Sequence, residues 1–195
     1  MEKKANSVQM ERARLGAVGE HNVVSMLMQR GWDAFNANCS IKNYKSIDIV
    51  CLDSARSESV ECPWKPKTVL IQVKTCRQNN IPIGFNIRQC LDKIYLENNV
   101  KGPYVFVFVK EDGEKYSFRY FILSRKQFIE LAYSAHKHYD EGYKREKELN
   151  KEAVAGLKLK WLEGYGEEAT DKHIAYNNPL NGETCENCWN NIWKK

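Results

Sequence analysis

Four polar residues in the first part of the chain are of the types that carry out metal-assisted phosphodiester chemistry: Glu20, Asp48, Gln72 and Lys74. Asp48 interrupts the apolar run Ile47-Asp48-Ile49-Val50, and Gln72 and Lys74 alternate with Ile71 and Val73 in the stretch 69–75. Glu20 follows Leu15-Gly16-Ala17-Val18-Gly19 within an amphipathic segment. Phosphodiester hydrolysis needs a deprotonated water, relief of charge on the non-bridging oxygens and a stabilised leaving oxygen. A Mg²⁺ or Mn²⁺ ion held by one or two carboxylates serves these needs. A lysine beside it adds a point charge at the scissile phosphate. An amide oxygen such as that of Gln72 is a weaker, uncharged ligand, so Glu20 is expected to supply a second carboxylate.

The elements that must position these groups follow from periodicity. Leu15, Val18, Val23, Met26 and Leu27 fall near helical spacing, which predicts a helix over roughly 12–30 ended by Gly31. Strands are expected at 32–35, 46–52 and 68–75, with a long Pro- and Ser-containing hairpin connection over 53–67. In a strand, residues two apart share a face, so Gln72 and Lys74 project together. A hairpin between the second and third strands sets Asp48 beside Gln72. Residues 79–84 read as loop and 87–97 as a short crossover helix. Further strands are expected at 104–109 and 118–123, and Ser124 with Gln127 has capping-box form before another helix. Residues 139–160 read as a highly charged helix, and 164–195 as a Gly- and Asn-rich tail with scattered aromatics. The expected class is α/β with a mixed sheet, divided into a domain over 1–135 and an extension over 136–195.

With these residues in this order, the chain resembles the PD-(D/E)XK nuclease superfamily. That family has a restriction-endonuclease-like core of helix, three strands, helix and strand. Its motif is an Asp at the start of one central strand and (Glu or Gln)-x-Lys on the next, here Asp48 and Gln72-Val73-Lys74. Gly19-Glu20 and Gly31-Trp32 look most like the branch of Holliday-junction resolvases and restriction-type endonucleases. There, a Glu on the first helix completes the metal site, and Glu20 holds the matching position. The resemblance spans about residues 12–125. It implies a Mg²⁺- or Mn²⁺-dependent DNA endonuclease with Glu20, Asp48 and Gln72 as metal ligands and Lys74 as the catalytic lysine. Gln72 stands where Glu is commoner, and this keeps open an inactive nucleic-acid-binding module on the same fold. A third reading is an interaction protein that uses the charged 139–160 helix and aromatic tail.

Lys42, Lys45, Arg77 and Arg88 flank the motif and are candidate phosphate contacts, with a solvated surface as the competing explanation. A formal charge of +5 is compatible with a polyanionic partner without requiring one. No segment reaches the apolar length of a membrane span, and no secretory signal follows Met1, so a cytoplasmic protein is expected. The odd count of seven cysteines suits reduced thiols rather than a disulfide framework. Cys185-x-x-Cys188 has metal-ligand spacing but lacks a second pair, with His173 a partner only if the tail folds back. His136 and His138, two apart on a helix, face different sides. Cutting both strands of a duplex calls for two active sites, which makes a homodimer the expected assembly.

Overall fold

The computed structural model describes residues 2–39, 47–57, 65–113, 115–145 and 148–194. Its elements are α1 (Glu2–Met28), β1 (Asp33–Asn36), a 3₁₀ turn (Ala37–Cys39), β2 (Ile49–Ser57), β3 (Pro66–Cys76), β4 (Asn80–Asn86), α2 (Ile87–Leu91), α3 (Lys93–Asn99), β5 (Tyr104–Asp112), β6 (Lys115–Leu123), α4 (Arg125–Glu141), β7 (Val154–Lys158), α5 (Leu159–Leu162) and a second 3₁₀ turn (Trp189–Trp193). The protein is mixed α/β. A five-stranded sheet runs β1-β2-β3-β5-β6, and β4 pairs with β7 in a second, smaller sheet. The chain divides into two compact units, Met1–Arg77 with Lys101–Phe118, and Gln78–Val100 with Arg119–Lys195.

In the first unit, α1 begins at Glu2 rather than near residue 12. Nothing in 2–11 is a Gly or Pro, so nothing there stops a helix from continuing. Gly31 ends it with φ +78°, donating its N–H to Met28 O at 2.9 Å while Trp32 reaches back to Leu27 O at 3.3 Å. β1, β2 and β3 form an antiparallel meander in which Ile49 faces Ile71. β3 then pairs parallel with β5, Gln72 opposite Tyr104. Ile71, Gln72 and Val73 are all buried, as are Tyr104 to Val109 along β5. Burial on both faces explains why β5 reads as a nearly continuous apolar run. α1 packs across β3 and β1 with Val23 and Leu27 fully buried.

In the second unit, α4 starts as expected, with Ser124 and Gln127 forming a reciprocal capping box. The helix expected over 87–97 is two, because the Asp92 side chain accepts from Tyr95 N and starts α3 afresh. Two other expectations are overturned. Residues 80–86 form β4 rather than a loop, with Pro82 and Gly84 tolerated where the register to β7 shifts. The charged helix over 139–160 does not form. α4 ends at Glu141, and Val154–Lys158 alternates exposed and buried side chains as β7.

The stretch after residue 163 is a folded part of this unit. Tyr176, Leu180, Cys185, Trp189, Ile192 and Trp193 are all buried. Its asparagines satisfy backbone carbonyls: Asn178 Nδ2 donates to Trp161 O at 2.8 Å and Tyr165 O at 2.9 Å, and Asn191 Nδ2 to Ile122 O at 2.8 Å. The composition that reads as a loose tail is therefore the hydrogen-bonding complement of an irregular backbone. Among the described residues, no helix is long and apolar enough to cross a membrane.

Candidate active site

The site lies wholly in the first unit and is built by α1, β1, the 3₁₀ turn and the facing ends of β2 and β3. Asp48 stands just before β2, not within it. Its backbone is nonetheless held on both sides, donating N–H to Ile71 O at 3.0 Å and accepting at its carbonyl from Ala37 N at 2.8 Å. Those bonds aim the carboxylate at β3. Oδ2 accepts from Val73 N at 2.7 Å and also from Gln72 Nε2. Oδ1 accepts from Asn38 Nδ2 at 3.2 Å. The structure thus brings Asp48 and Gln72 into direct contact, as hairpin pairing of these segments requires.

Glu20 joins them through α1. An added Cβ on Gly19 would lie 1.8 Å from Thr75 Oγ1, so only glycine lets the helix approach β3 this closely. The next residue is thereby held at the site. Glu20 Oε2 accepts from Asn36 Nδ2 at 2.8 Å, and Asn38 also donates to its side chain. Asn38 thus links the two carboxylates. Burial raises the Glu20 pKa above its ordinary value, Asn36 opposes this, and the Asp48 charge raises it further.

Lys74 is half-buried and, among the described residues, makes no hydrogen bond or ion pair. Burial lowers its pKa, partly offset by the charges of Asp48 and Glu20. A direct structural ion pair between Lys74 and Asp48 is therefore not what holds the group there. Gln72 Oε1 is buried and has no hydrogen-bond partner, a costly condition for a carbonyl oxygen.

A divalent cation fits this donor set. Two carboxylates and an unpartnered amide oxygen are hard oxygen ligands of the kind Mg²⁺ and Mn²⁺ take. Positive charge beside Glu20 and Asp48 would relieve the repulsion that burial intensifies.

Of the candidate phosphate contacts, Arg77 is engaged by Glu11 at 2.8 Å and Glu111 at 3.4 Å. Arg88 lies on α2 in the second unit and pairs with Glu152 at 2.8 Å. Lys42 and Lys45 lie outside the described residues. Asn36 and Asn38 are the site residues that sequence reasoning missed. Their signal was the Asn-x-Asn spacing where a short strand ends and a turn begins; Asn38 N donates to Asn36 Oδ1 at 2.8 Å.

Cys185 and Cys188 do not join a metal cluster among the described residues. Cys185 is buried, and burial pushes its thiol up to about 12. Cys51, Cys76 and Cys90 are buried thiols, as expected.

No family model, no curated protein and no solved structure matches this chain.

Proposed function

We propose that the protein is a Mg²⁺- or Mn²⁺-dependent endonuclease that hydrolyses DNA phosphodiester bonds on a restriction-endonuclease-like core of the PD-(D/E)XK type. The observation that carries this reading is the convergence of Glu20, Asp48 and Gln72, with an orphaned Gln72 oxygen and an unpaired Lys74 alongside. Buried charges and orphaned polar atoms lower stability, and they gather where chemistry needs them.

Each side chain has a distinct task. Gln72 Nε2 and Val73 N hold one oxygen of Asp48, leaving on the other, beside its bond from Asn38, a lone pair for a cation. Asn38 fixes the spacing of the two carboxylates. Lys74, with no internal acceptor to satisfy, donates to the phosphate or to the attacking water. When bound, the metal supplies a water of lowered pKa and neutralises developing phosphate charge. DNA is the proposed partner, a homodimer the proposed assembly and the cytoplasm the proposed compartment.

The test is incubation of purified protein with linear, nicked, branched and single-stranded DNA in Mg²⁺ or Mn²⁺. Cleavage of at least one substrate is expected, abolished by EDTA and by Asp48→Ala or Lys74→Ala in variants that keep the wild-type circular dichroism. No cleavage of any substrate, or undiminished cleavage by both variants, refutes the proposal.

One observation favours a second reading. Asn36, Asn38 and Gln72 already supply amide donors to both carboxylates, so the cluster has internal partners for its charge without a cation. The alternative is a non-cleaving nucleic-acid-binding module. It requires DNA binding that is indifferent to Mn²⁺, and calorimetric Mn²⁺ binding abolished by Asp48→Ala would exclude it.

A further inference from the structure

We propose that His138, Glu167 and His173, in the second unit, form a transition-metal site that takes Zn²⁺ or Co²⁺ in preference to Mg²⁺. The three residues come from separate places in the sequence. His138 lies in the last turn of α4. Glu167 and His173 lie on a turn closed by Glu167 N to Tyr176 O at 3.0 Å, Tyr176 N to Glu167 O at 2.8 Å, and Thr170 N to His173 O at 2.8 Å. That turn is joined to the end of α4 by a bridge between Tyr143 and His173, with Lys144 N bonding Lys172 O at 2.9 Å and Ile174 N bonding Gly142 O at 3.0 Å. The backbone therefore carries the second histidine and the glutamate to the first.

Two features point to a ligand beyond mere proximity. His138 is 8% exposed, and its Nε2 is buried with no hydrogen-bond partner. His173 directs Nδ1 to the carbonyl of Ile174 at 3.0 Å. A carbonyl can only accept, so Nδ1 carries the proton and Nε2 offers its lone pair. That is the tautomer a metal-binding histidine uses, fixed by the outer hydrogen bond that usually accompanies one. This Nε2 stands 3.8 Å from Glu167 Oε2.

Glu167 is arranged to ligate through that one oxygen. Its Oε1 is taken by Lys158 at 2.7 Å, Lys160 at 2.9 Å and Trp161 Nε1 at 3.2 Å, while Oε2 accepts only from Tyr143 OH at 3.2 Å among the described residues.

The three ligand atoms lie within 4.8 Å of one another. Two metal–ligand bonds of about 2.0–2.1 Å at a tetrahedral angle put ligands about 3.4 Å apart. The widest pair must therefore close by at most about 1.4 Å, within reach of small side-chain rotations about these broad terminal torsions. Two imidazoles and one carboxylate suit a first-row metal of borderline softness rather than Mg²⁺, and three protein ligands leave a position open for water or substrate. The lysines on Oε1 offset part of the carboxylate charge, so affinity is expected below that of a closed four-ligand site.

The test uses the whole chain with Cys188→Ser, which removes as a competing ligand the one thiol, among the described residues, that is not buried. Addition of Co²⁺ is expected to give the intense visible d–d absorption of a low-coordinate ion, with that intense band saturating at one equivalent. His173→Ala and Glu167→Gln are each expected to weaken binding by about tenfold or more, while Asp48→Asn leaves it unchanged. Zn²⁺ should raise the Tm, reversibly with EDTA. This thermal shift decides the matter should either ligand variant alter the circular dichroism. The proposal is overturned by absence of Co²⁺ binding and of a Zn²⁺ thermal shift. It is overturned equally by binding that survives both ligand substitutions in folded protein, or by binding that Asp48→Asn removes.

Discussion

Burial works against the charged forms of both Lys74 and Glu20. Lys74 has a lowered pKa, so the folded state disfavours its charge. Its stability cost is fully present below the folded pKa and fades as pH rises from there to the ordinary value of 10.5. Lys74→Met is therefore expected to abolish cleavage while stabilising the protein at pH 7 by about 1 kcal/mol, or ~2–4 °C in Tm. An unchanged or lowered Tm in a melting experiment would contradict this. Glu20 has a raised pKa, so its contribution is greatest below the ordinary value of 4.5 and is lost as pH rises through the folded value. Glu20→Gln should remove that loss, leaving the variant more stable than wild type at pH 7 and the two nearly equal at pH 4. Denaturant melts at the two pH values check this, and Mg²⁺ should narrow the gap at pH 7 by stabilising only the wild type. Asp48, Gln72 and Lys74 were legible in the sequence because polar residues inside apolar runs are conspicuous. Asn36 and Asn38 were not, because asparagine beside a turn is ordinary and their task shows only once Glu20 and Asp48 lie on either side.

At the scale of elements, the site depends on how closely α1 approaches β3. Gly19→Ala would drive a methyl into Thr75. The expected cost is about 1–3 kcal/mol, with loss of cleavage as Glu20 is displaced. Thr75→Ala in the same chain should recover part of both, since it removes Thr75 Oγ1 and Cγ2 at 1.8 and 2.9 Å from the added carbon and leaves the Cβ at 2.8 Å. Thermal melts and cleavage assays of the single and double variants test this, and no recovery would contradict the contact. The strands and caps of the first unit were readable because their period matched their burial. β4 and β7 were not. Pro82 and Gly84 resemble loop punctuation, and the short alternation of Ala155 and Leu157 is submerged among charged neighbours. Each strand forms because the other pairs with it, which is information that local sequence does not carry.

For the whole molecule, the C-terminal stretch is a structural component of the second unit. Truncation after Glu163 would remove Tyr176, Leu180, Trp189, Ile192 and Trp193 from buried positions. The expected result is loss of the cooperative unfolding transition, with increased dye binding to exposed apolar surface; a truncated chain with native melting would contradict it. The sequence showed the aromatics but not their burial, because polar asparagines and glycines between them mask any period. The charge of +5 bears on the partner. For three phosphate contacts, DNA affinity should fall about 40-fold between 50 and 200 mM salt, measurable by fluorescence anisotropy.

The central claim is that Glu20, Asp48 and Gln72 share one hard cation. A crystal soaked in Mn²⁺, read by anomalous scattering, tests it most directly. The account predicts a peak within bonding distance of both carboxylates and of Gln72 Oε1, absent from Asp48→Asn crystals. Well-ordered crystals saturated with Mn²⁺ that show no peak between Glu20 and Asp48 would contradict it.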